Sequence, residues 1–281
     1  MTATVTPSFE LPTEHPGFGD PAYRERRAHI AEVGARYRPG DPIPDVTYTS
    51  VEDEVWRTVS TELGEKHRRL AARELVDAGR RLDLPVDRVP QLREVDEALQ
   101  ALTGFRIRPV PGLVPTREFY GALADRTFLA TQYLRHHSVP FYTPEPDLVH
   151  EIIGHANMLA NPRFADLYEL AGQASQRATT AGALEFFSRV FWFSIEFGVV
   201  WEDSELKAYG AGLLSSYGEI EAFRSAEIRP FDVRAMGTLD YDITQYQPVL
   251  FSVSSTDQLV DELGAFFATF DDDAHARLVG P

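Results

Sequence analysis

The 281-residue chain contains no cysteine. That absence excludes disulfides, thiolate metal sites, iron–sulfur clusters and a cysteine nucleophile, so any bound metal must be held by nitrogen and oxygen. Positive charge is also scarce: 27 Lys and Arg stand against 43 Asp and Glu, for a net charge of −16. Nucleic acid and anionic membrane surfaces would be repelled by such a chain, although the imbalance points to no particular small substrate. No apolar run approaches the roughly 18 residues that cross a bilayer. The opening residues, MTATVTPSFELPTEHPGFGD, lack a basic start followed by an apolar stretch. No secretory signal is therefore expected, and a cytoplasmic location follows by default. Internal repeats and low-complexity tracts are missing too.

What remains is ordinary globular composition, 43% hydrophobic and 25% charged, with enough apolar material for a core. Helical patterns cover 21–37, then 50–82, where Ser50-Val51-Glu52-Asp53 supplies a start signal. Another runs over 90–102 and ends at Thr103-Gly104. Residues 105–110 alternate polar and apolar as a short strand does. A short helix is predicted over 117–124, and 127–135 is ambiguous. Pro144-Glu145-Pro146-Asp147 opens a helix that continues to about Leu159. Further helices are predicted over 162–172, 184–201, 217–225 and 255–270, with a strand over 247–253. The class is mainly α with minor β.

His150-Glu151-Ile152-Ile153-Gly154-His155 invites comparison with a zinc-protease motif, which places its histidines four apart on one helical face. Here they are five apart, roughly 140° around an ideal helix at about 100° per residue. Both can meet one ion if His150 sits at the helix start, where the backbone can deviate; Pro146 suits such a first turn. The alternative is one surface and one core histidine. Glu196 lies in Phe191-Trp192-Phe193-Ser194-Ile195-Glu196-Phe197-Gly198-Val199-Val200-Trp201, where residues 192, 193, 199 and 200 would share its helical face. A carboxylate on so apolar a face needs a metal or a partner, such as a buried pair with Arg135. Two imidazoles and one carboxylate form the facial triad that suits non-haem Fe(II), leaving positions for water, dioxygen or substrate. Zinc hydrolysis with Glu151 as base, and a non-catalytic metal- or amino-acid-binding role, stay open on the ligands alone.

At these residues the chain resembles the pterin-dependent aromatic amino acid hydroxylases. Tyr142-Thr143-Pro144-Glu145-Pro146-Asp147 leading into His150-Glu151 and Gly154-His155, residues 191–198, and Ala208-Tyr209-Gly210-Ala211-Gly212-Leu213-Leu214-Ser215-Ser216 carry the likeness. Residues 103–110 and 131–136, with His15-Pro16-Gly17-Phe18 and Pro42-Ile43-Pro44, support it in order and spacing. The resemblance implies a single helical catalytic domain over residues 15–270, between a flexible N-terminus (1–14) and a tail (271–281). It implies Fe(II) on His150, His155 and Glu196, and tetrahydrobiopterin or a related tetrahydropterin stacked on Phe119, beside Leu113 and Val114, with Glu151 contacting it. Arg135 would pair with the substrate carboxylate, Thr143 and Ser215 would assist, and Trp192 and His150 would flank the ring. Without the resemblance, Phe119 and Trp192 read as core packing.

The implied reaction uses dioxygen and the reduced pterin to hydroxylate the ring of a free aromatic amino acid. Ile243 stands where tyrosine hydroxylases carry an acid, and Trp192 resembles the phenylalanine enzymes, so conversion of phenylalanine to tyrosine is expected. Tryptophan or meta-phenylalanine hydroxylation are the alternatives within the family. Three departures concern regioselectivity rather than metal binding: Asn157 replaces a proline, Leu129 a histidine and Phe191 a frequent tyrosine. His136-His137 reads as a loop pair rather than a second metal site. Asp271-Asp272-Asp273 reads as a solvated tail rather than a calcium site, and Gly210 with Gly212 as a tight turn rather than a phosphate loop. Oligomeric state is not legible.

Overall fold

Asp20 begins the first helix, α1 (Pro21–Arg36), by accepting from the backbone N–H groups of Ala22 and Tyr23, amides that have no partner inside the helix. The computed structural model describes residues 11–280. The flexibility expected of the N-terminus therefore lies, for residues 1–10, outside the described residues; Leu11 is already buried.

The predicted helix over 50–82 is two helices, α2 (Ser50–Leu70) and α3 (Arg73–Leu82). Neither proline nor glycine marks the break. Ala71 and Ala72 turn extended because Ala71 bridges Ala208, a distant strand residue, and the N–H of Ala72 donates to the Ala208 carbonyl at 2.8 Å. A tertiary bond there replaces a helical one. Helix α4 (Leu92–Thr103) stops at Gly104, whose φ of 77° is left-handed and suits glycine. Strands β1 (Arg106–Pro109) and β2 (Thr127–Ala130) flank α5 (Thr116–Leu123) and pair in parallel, Arg106 opposite Thr127 and Pro109 opposite Ala130. The ambiguous stretch after residue 127 thus begins as strand.

A helix starts at Leu148, widens into a π-turn over His150–Ala156 and finishes as α6 (Asn157–Leu159). Then come α7 (Pro162–Arg177) and α8 (Ala181–Phe191). The helix predicted over 184–201 ends early. A second π-turn, Trp192–Glu196, closes it, and Val199–Glu202 forms strand β3. Val199 and Val200 therefore do not share a helical face with Glu196; β-branched residues after Gly198 join a sheet instead. Strand β4 (Glu205–Ala208) returns antiparallel through Asp203 and Ser204, both at positive φ.

Two short helices, α9 (Ala211–Ser215) and α10 (Glu219–Ala222), strand β5 (Glu227–Pro230) and helix α11 (Val233–Thr238) follow. The expected Gly210–Gly212 turn is thus the entry to α9. Strand β6 (Val249–Val253), α12 (Thr256–Thr269) and α13 (Asp272–Val279) complete the described chain. The second sheet runs β4-β3-β6-β5, with β6 parallel to both neighbours.

The expected acidic tail is the ordered helix α13. Asp271 caps it by accepting from the Ala274 N–H, and Asp272 accepts from the Thr180 N–H at 3.0 Å and hydroxyl at 2.8 Å. One hydrophobic core runs from α2 to α12, with Phe128, Tyr168, Phe187, Phe191 and Phe193 among its buried rings. Among the described residues no helix is long and apolar enough to cross a membrane.

Candidate active site

Asp147 organises the start of the first π-turn. It is fully buried, its carboxylate accepts from the His150 N–H at 3.3 Å, and its carbonyl accepts from the Glu151 N–H at 3.0 Å. Bonds then span five residues instead of four, as where the Asn157 N–H reaches the Ile152 carbonyl. This wider turn resolves the five-residue spacing of the histidines: their Nε2 atoms lie 3.0 Å apart. The helix does deviate from α-geometry, but over the whole of His150–Ala156 rather than at a first turn set by Pro146.

The second π-turn aims Glu196 at the same point. The Phe197 N–H bonds the Trp192 carbonyl at 2.9 Å, five residues back. One Glu196 oxygen stands 3.2 Å from His155 Nε2 and the other 3.8 Å from His150 Nε2. Helix α9 locks the two turns together, and close approach at Gly154 permits it: a Cβ there would stand 2.7 Å from the Ala211 carbonyl oxygen.

The outer ring nitrogens are already engaged. His150 Nδ1 pairs with the Ser215 hydroxyl at 2.8 Å and His155 Nδ1 with the Tyr168 hydroxyl at 2.7 Å. Each imidazole thus turns Nε2 toward Glu196. Burial, reinforced by His155, pushes the His150 pKa down to about 4. Burial also works against charge on His155 and Glu196, yet their mutual attraction wins, raising the histidine and lowering the acid. These two groups form a buried ion pair. Donors bound at about 2.1 Å and at right angles to one another stand about 3 Å apart, so the residues present fit one small divalent ion. Two nitrogens and a carboxylate without thiolate suit ferrous iron.

The triad lies at the base of a cavity of about 260 Å³. Of the residues expected there, Leu113, Val114, Phe119, Glu151 and Trp192 line it with His150, His155 and Glu196. Phe119 is half-buried, edge-on to Tyr120 and Phe128. Leu113 is 74% exposed, at the rim. Burial pushes the Glu151 pKa up to about 7, against the N–H and hydroxyl of Thr131, which donate to it at 3.3 and 3.2 Å. Two departures, Leu129 and Phe191, are also in the wall.

Four expected substrate contacts lie outside that wall. Arg135 does not pair with Glu196, the alternative the sequence left open. Its guanidinium grips Asp147 through two bonds of 2.9 and 2.8 Å, and its own N–H adds a third at 2.8 Å. Both partners are buried, and Asp147 stays below the usual carboxylate range because Arg135 outweighs its burial. The Thr143 hydroxyl donates to the Glu145 carbonyl. Ser215 touches His150 rather than the cavity, and Ile243 points outward, 69% exposed.

Three contributors escaped the sequence reading. Tyr168 on α7 orients His155, Tyr241 stacks on Trp192 with centroids 4.2 Å apart at 12°, and the Gln247 amide accepts from the Trp192 indole N–H at 3.0 Å. Each is distant in sequence from its partner, so no local pattern could announce it. His136 and His137 stand with Asp20 as a second cluster. There Asp20 already caps α1 and meets His136 Nε2 at 3.3 Å, while His136 Nδ1 meets the Ser138 hydroxyl at 2.7 Å. These bonds tie the N-terminal segment to the Arg135 loop.

Residues 2–277 match the family described as biopterin-dependent aromatic amino acid hydroxylase. The chain is 50% identical over 266 residues to phenylalanine 3-hydroxylase of Streptomyces coeruleorubidus, covering 95% of each. It is 42% identical to phenylalanine-4-hydroxylase of Caenorhabditis elegans, covering 92% of this chain and 58% of that one; the chain thus spans little more than half of this animal relative. A crystal structure of Chromobacterium violaceum phenylalanine hydroxylase, with bound iron(III) and 7,8-dihydrobiopterin, superposes with a TM-score of 0.76 at 30% identity, covering 85% of this chain and 90% of that one. The wide turns, the buried triad and this agreement in sequence and fold place the chain in the biopterin-dependent aromatic amino acid hydroxylase family.

Proposed function

We propose that the protein hydroxylates the ring of free L-phenylalanine, using Fe(II) held by His150, His155 and Glu196, a tetrahydropterin and dioxygen. The observation that carries this reading is the convergence of three metal-donor side chains, 3.0 to 3.8 Å apart, beneath an aromatic-walled cavity. Dioxygen is the oxidant: iron and the reduced pterin would activate it when bound, the pterin supplying two electrons, while the protein supplies position and a dry site.

His150, held neutral, and Glu196, held ionised, are ready donors for a cation, and His155 would release its proton on binding it. Phe119 offers the pterin an aromatic face, with Leu113 and Val114 beside it, and Glu151 offers a hydrogen-bonding edge. Trp192 and His150 bound the place of the substrate ring. Arg135 is the carboxylate anchor in this reading, and it would share its guanidinium between Asp147 and the substrate, with Thr143 and Ser215 holding its surroundings. Ile243, at the exposed end of its loop, bears on ring choice only if that loop folds inward over substrate. Residues 15–270 form the catalytic unit, and a cytoplasmic setting suits a chain without cysteine.

The ring position rests on likeness. Identity of 50% to a 3-hydroxylase over 95% of both chains, against 42% to a 4-hydroxylase, favours the meta product. Tyrosine is the second reading. Purified protein supplied with Fe(II), dioxygen and a tetrahydropterin is offered phenylalanine, tyrosine and tryptophan in parallel, and products are separated by liquid chromatography and mass spectrometry. Hydroxylated phenylalanine is expected, chiefly 3-hydroxyphenylalanine. Pterin oxidation without any hydroxylated amino acid would sink the substrate assignment, and zinc-supported hydrolysis indifferent to pterin would sink the reaction.

A further inference from the structure

We propose that Gln247 is a positioning residue that sets the pose of the substrate ring by joining Trp192 and the 241–246 loop into one rigid cavity wall. The inference rests on the reading above only in taking Trp192 as the flank of that ring.

Gln247 is 4% exposed, and its side-chain oxygen, its side-chain nitrogen and its backbone N–H are all engaged at this seam. Its side-chain oxygen accepts from the Trp192 indole N–H at 3.0 Å. Its side-chain nitrogen donates to the carbonyl oxygens of Asp242 at 3.0 Å and Gln245 at 3.1 Å. Its backbone N–H donates to the buried Glu219 carboxylate at 2.7 Å. Four bonds thus join four places: the second π-turn, two points on an otherwise exposed loop, and α10.

The loop contributes one ring of its own. Tyr241 lies flat on the Trp192 indole at 4.2 Å and also lines the cavity. The indole is therefore held edgewise by Gln247 and facewise by Tyr241. A buried amide satisfied on every side has one orientation, because each alternative leaves a polar group unpaired. Small misplacements near a reacting centre are amplified in rate and product, so the site of ring attack depends on how firmly this wall stands.

The test uses iron-loaded enzyme with a tetrahydropterin and phenylalanine. Gln247→Leu removes all three side-chain bonds. Gln247→Glu keeps an acceptor for Trp192 but sets a carboxylate against the two loop carbonyls, which separates the indole's share from the loop's. Gln247→Leu is expected to raise KM about tenfold, lower hydroxylated product per pterin oxidised at least twofold, and change the ratio of 3- to 4-hydroxyphenylalanine. Gln247→Glu should change KM while holding the product ratio closer to wild type. In a Trp192→Phe background, Gln247→Leu should change that ratio little further.

A readout without turnover keeps the two readings apart. Acrylamide quenching of the Trp192 emission, taken as the difference from Trp192→Phe, should rise in Gln247→Leu even if the enzyme proves to act on another ring. Unchanged coupling, product ratio and quenching in both Gln247 variants would overturn the proposal. So would an equal effect of Gln247→Leu with and without the Trp192 indole. Should Gln247→Leu fail to fold, Gln247→Glu decides alone, and a wild-type KM in it would end the idea.

Discussion

Single residues decide the chemistry of this site through the atoms they leave unpaired. Glu196 completes the donor set, and its replacement by Ala should abolish stoichiometric metal binding, read by elemental analysis after gel filtration; full occupancy would refute its role. Tyr168 acts one step away, by fixing the ring of His155. Tyr168→Phe should weaken metal affinity about ten- to hundredfold while leaving occupancy attainable at high metal. Titration calorimetry checks this, and unchanged affinity removes Tyr168 from the site.

Glu219 provides a pH test away from the metal. Burial raises its pKa to about 7, against the Gln247 N–H that favours the ionised form. An acid raised on folding binds more protons folded than unfolded between its ordinary pKa of 4.5 and about 7. Stability therefore falls as pH rises through that window. Glu219→Gln, which keeps the acceptor and cannot ionise, should match wild type near pH 4. Above pH 7 it should be the more stable, by at most about 3 kcal/mol. Urea melts across pH 4 to 8 measure the difference, and parallel curves for the two proteins would contradict it.

At the scale of elements, the two π-turns are the decisive devices. A regular α-helix would point His150 and His155 apart, and one continued through residue 201 would carry Glu196 past its partners. Element ends elsewhere were legible: residues 144–147 as a helix start, Gly104 as a stop, the alternation of residues 105–110 as a strand. The wide turns were not, because a π-bulge follows from what packs against it rather than from local preference. Helix α9 is that packing partner. Gly154→Ala forces a methyl against the Ala211 carbonyl, 2.7 Å from the added carbon. It should cost about 1–3 kcal/mol of stability and loosen metal binding as the turns part. A variant with wild-type melting and affinity would show that α9 does not hold them.

The break between α2 and α3 teaches the same lesson from another place. Ala71 and Ala72 are good helix formers, yet a strand 137 residues beyond Ala71 claims them. Propensity yields wherever a tertiary hydrogen bond outbids it.

Across the whole molecule, the metal site joins segments separated by some forty residues and buried in the common core. A ligand bound only by the folded state stabilises it, by about 2.7 kcal/mol at a hundredfold excess over Kd. For a chain of this size that is roughly 5 °C in Tm. Stripping iron with a chelator should lower the melting midpoint by about that amount, and re-addition should restore it. A midpoint indifferent to iron would mean that the triad holds none.

Composition alone settled which chemistries were closed, since a chain without thiols has only nitrogen and oxygen to offer a metal. Residue order named the candidate donors, two histidines five apart and Glu196 among apolar neighbours that make an unpaired carboxylate expensive. Tertiary structure decided the rest: that His150 and His155 face one point, that Arg135 is held by Asp147 instead of Glu196, and that Trp192 is pinned by Tyr241 and Gln247. Those outcomes depend on contacts between segments far apart in the chain. Local sequence carries no record of them until the core has brought the segments together.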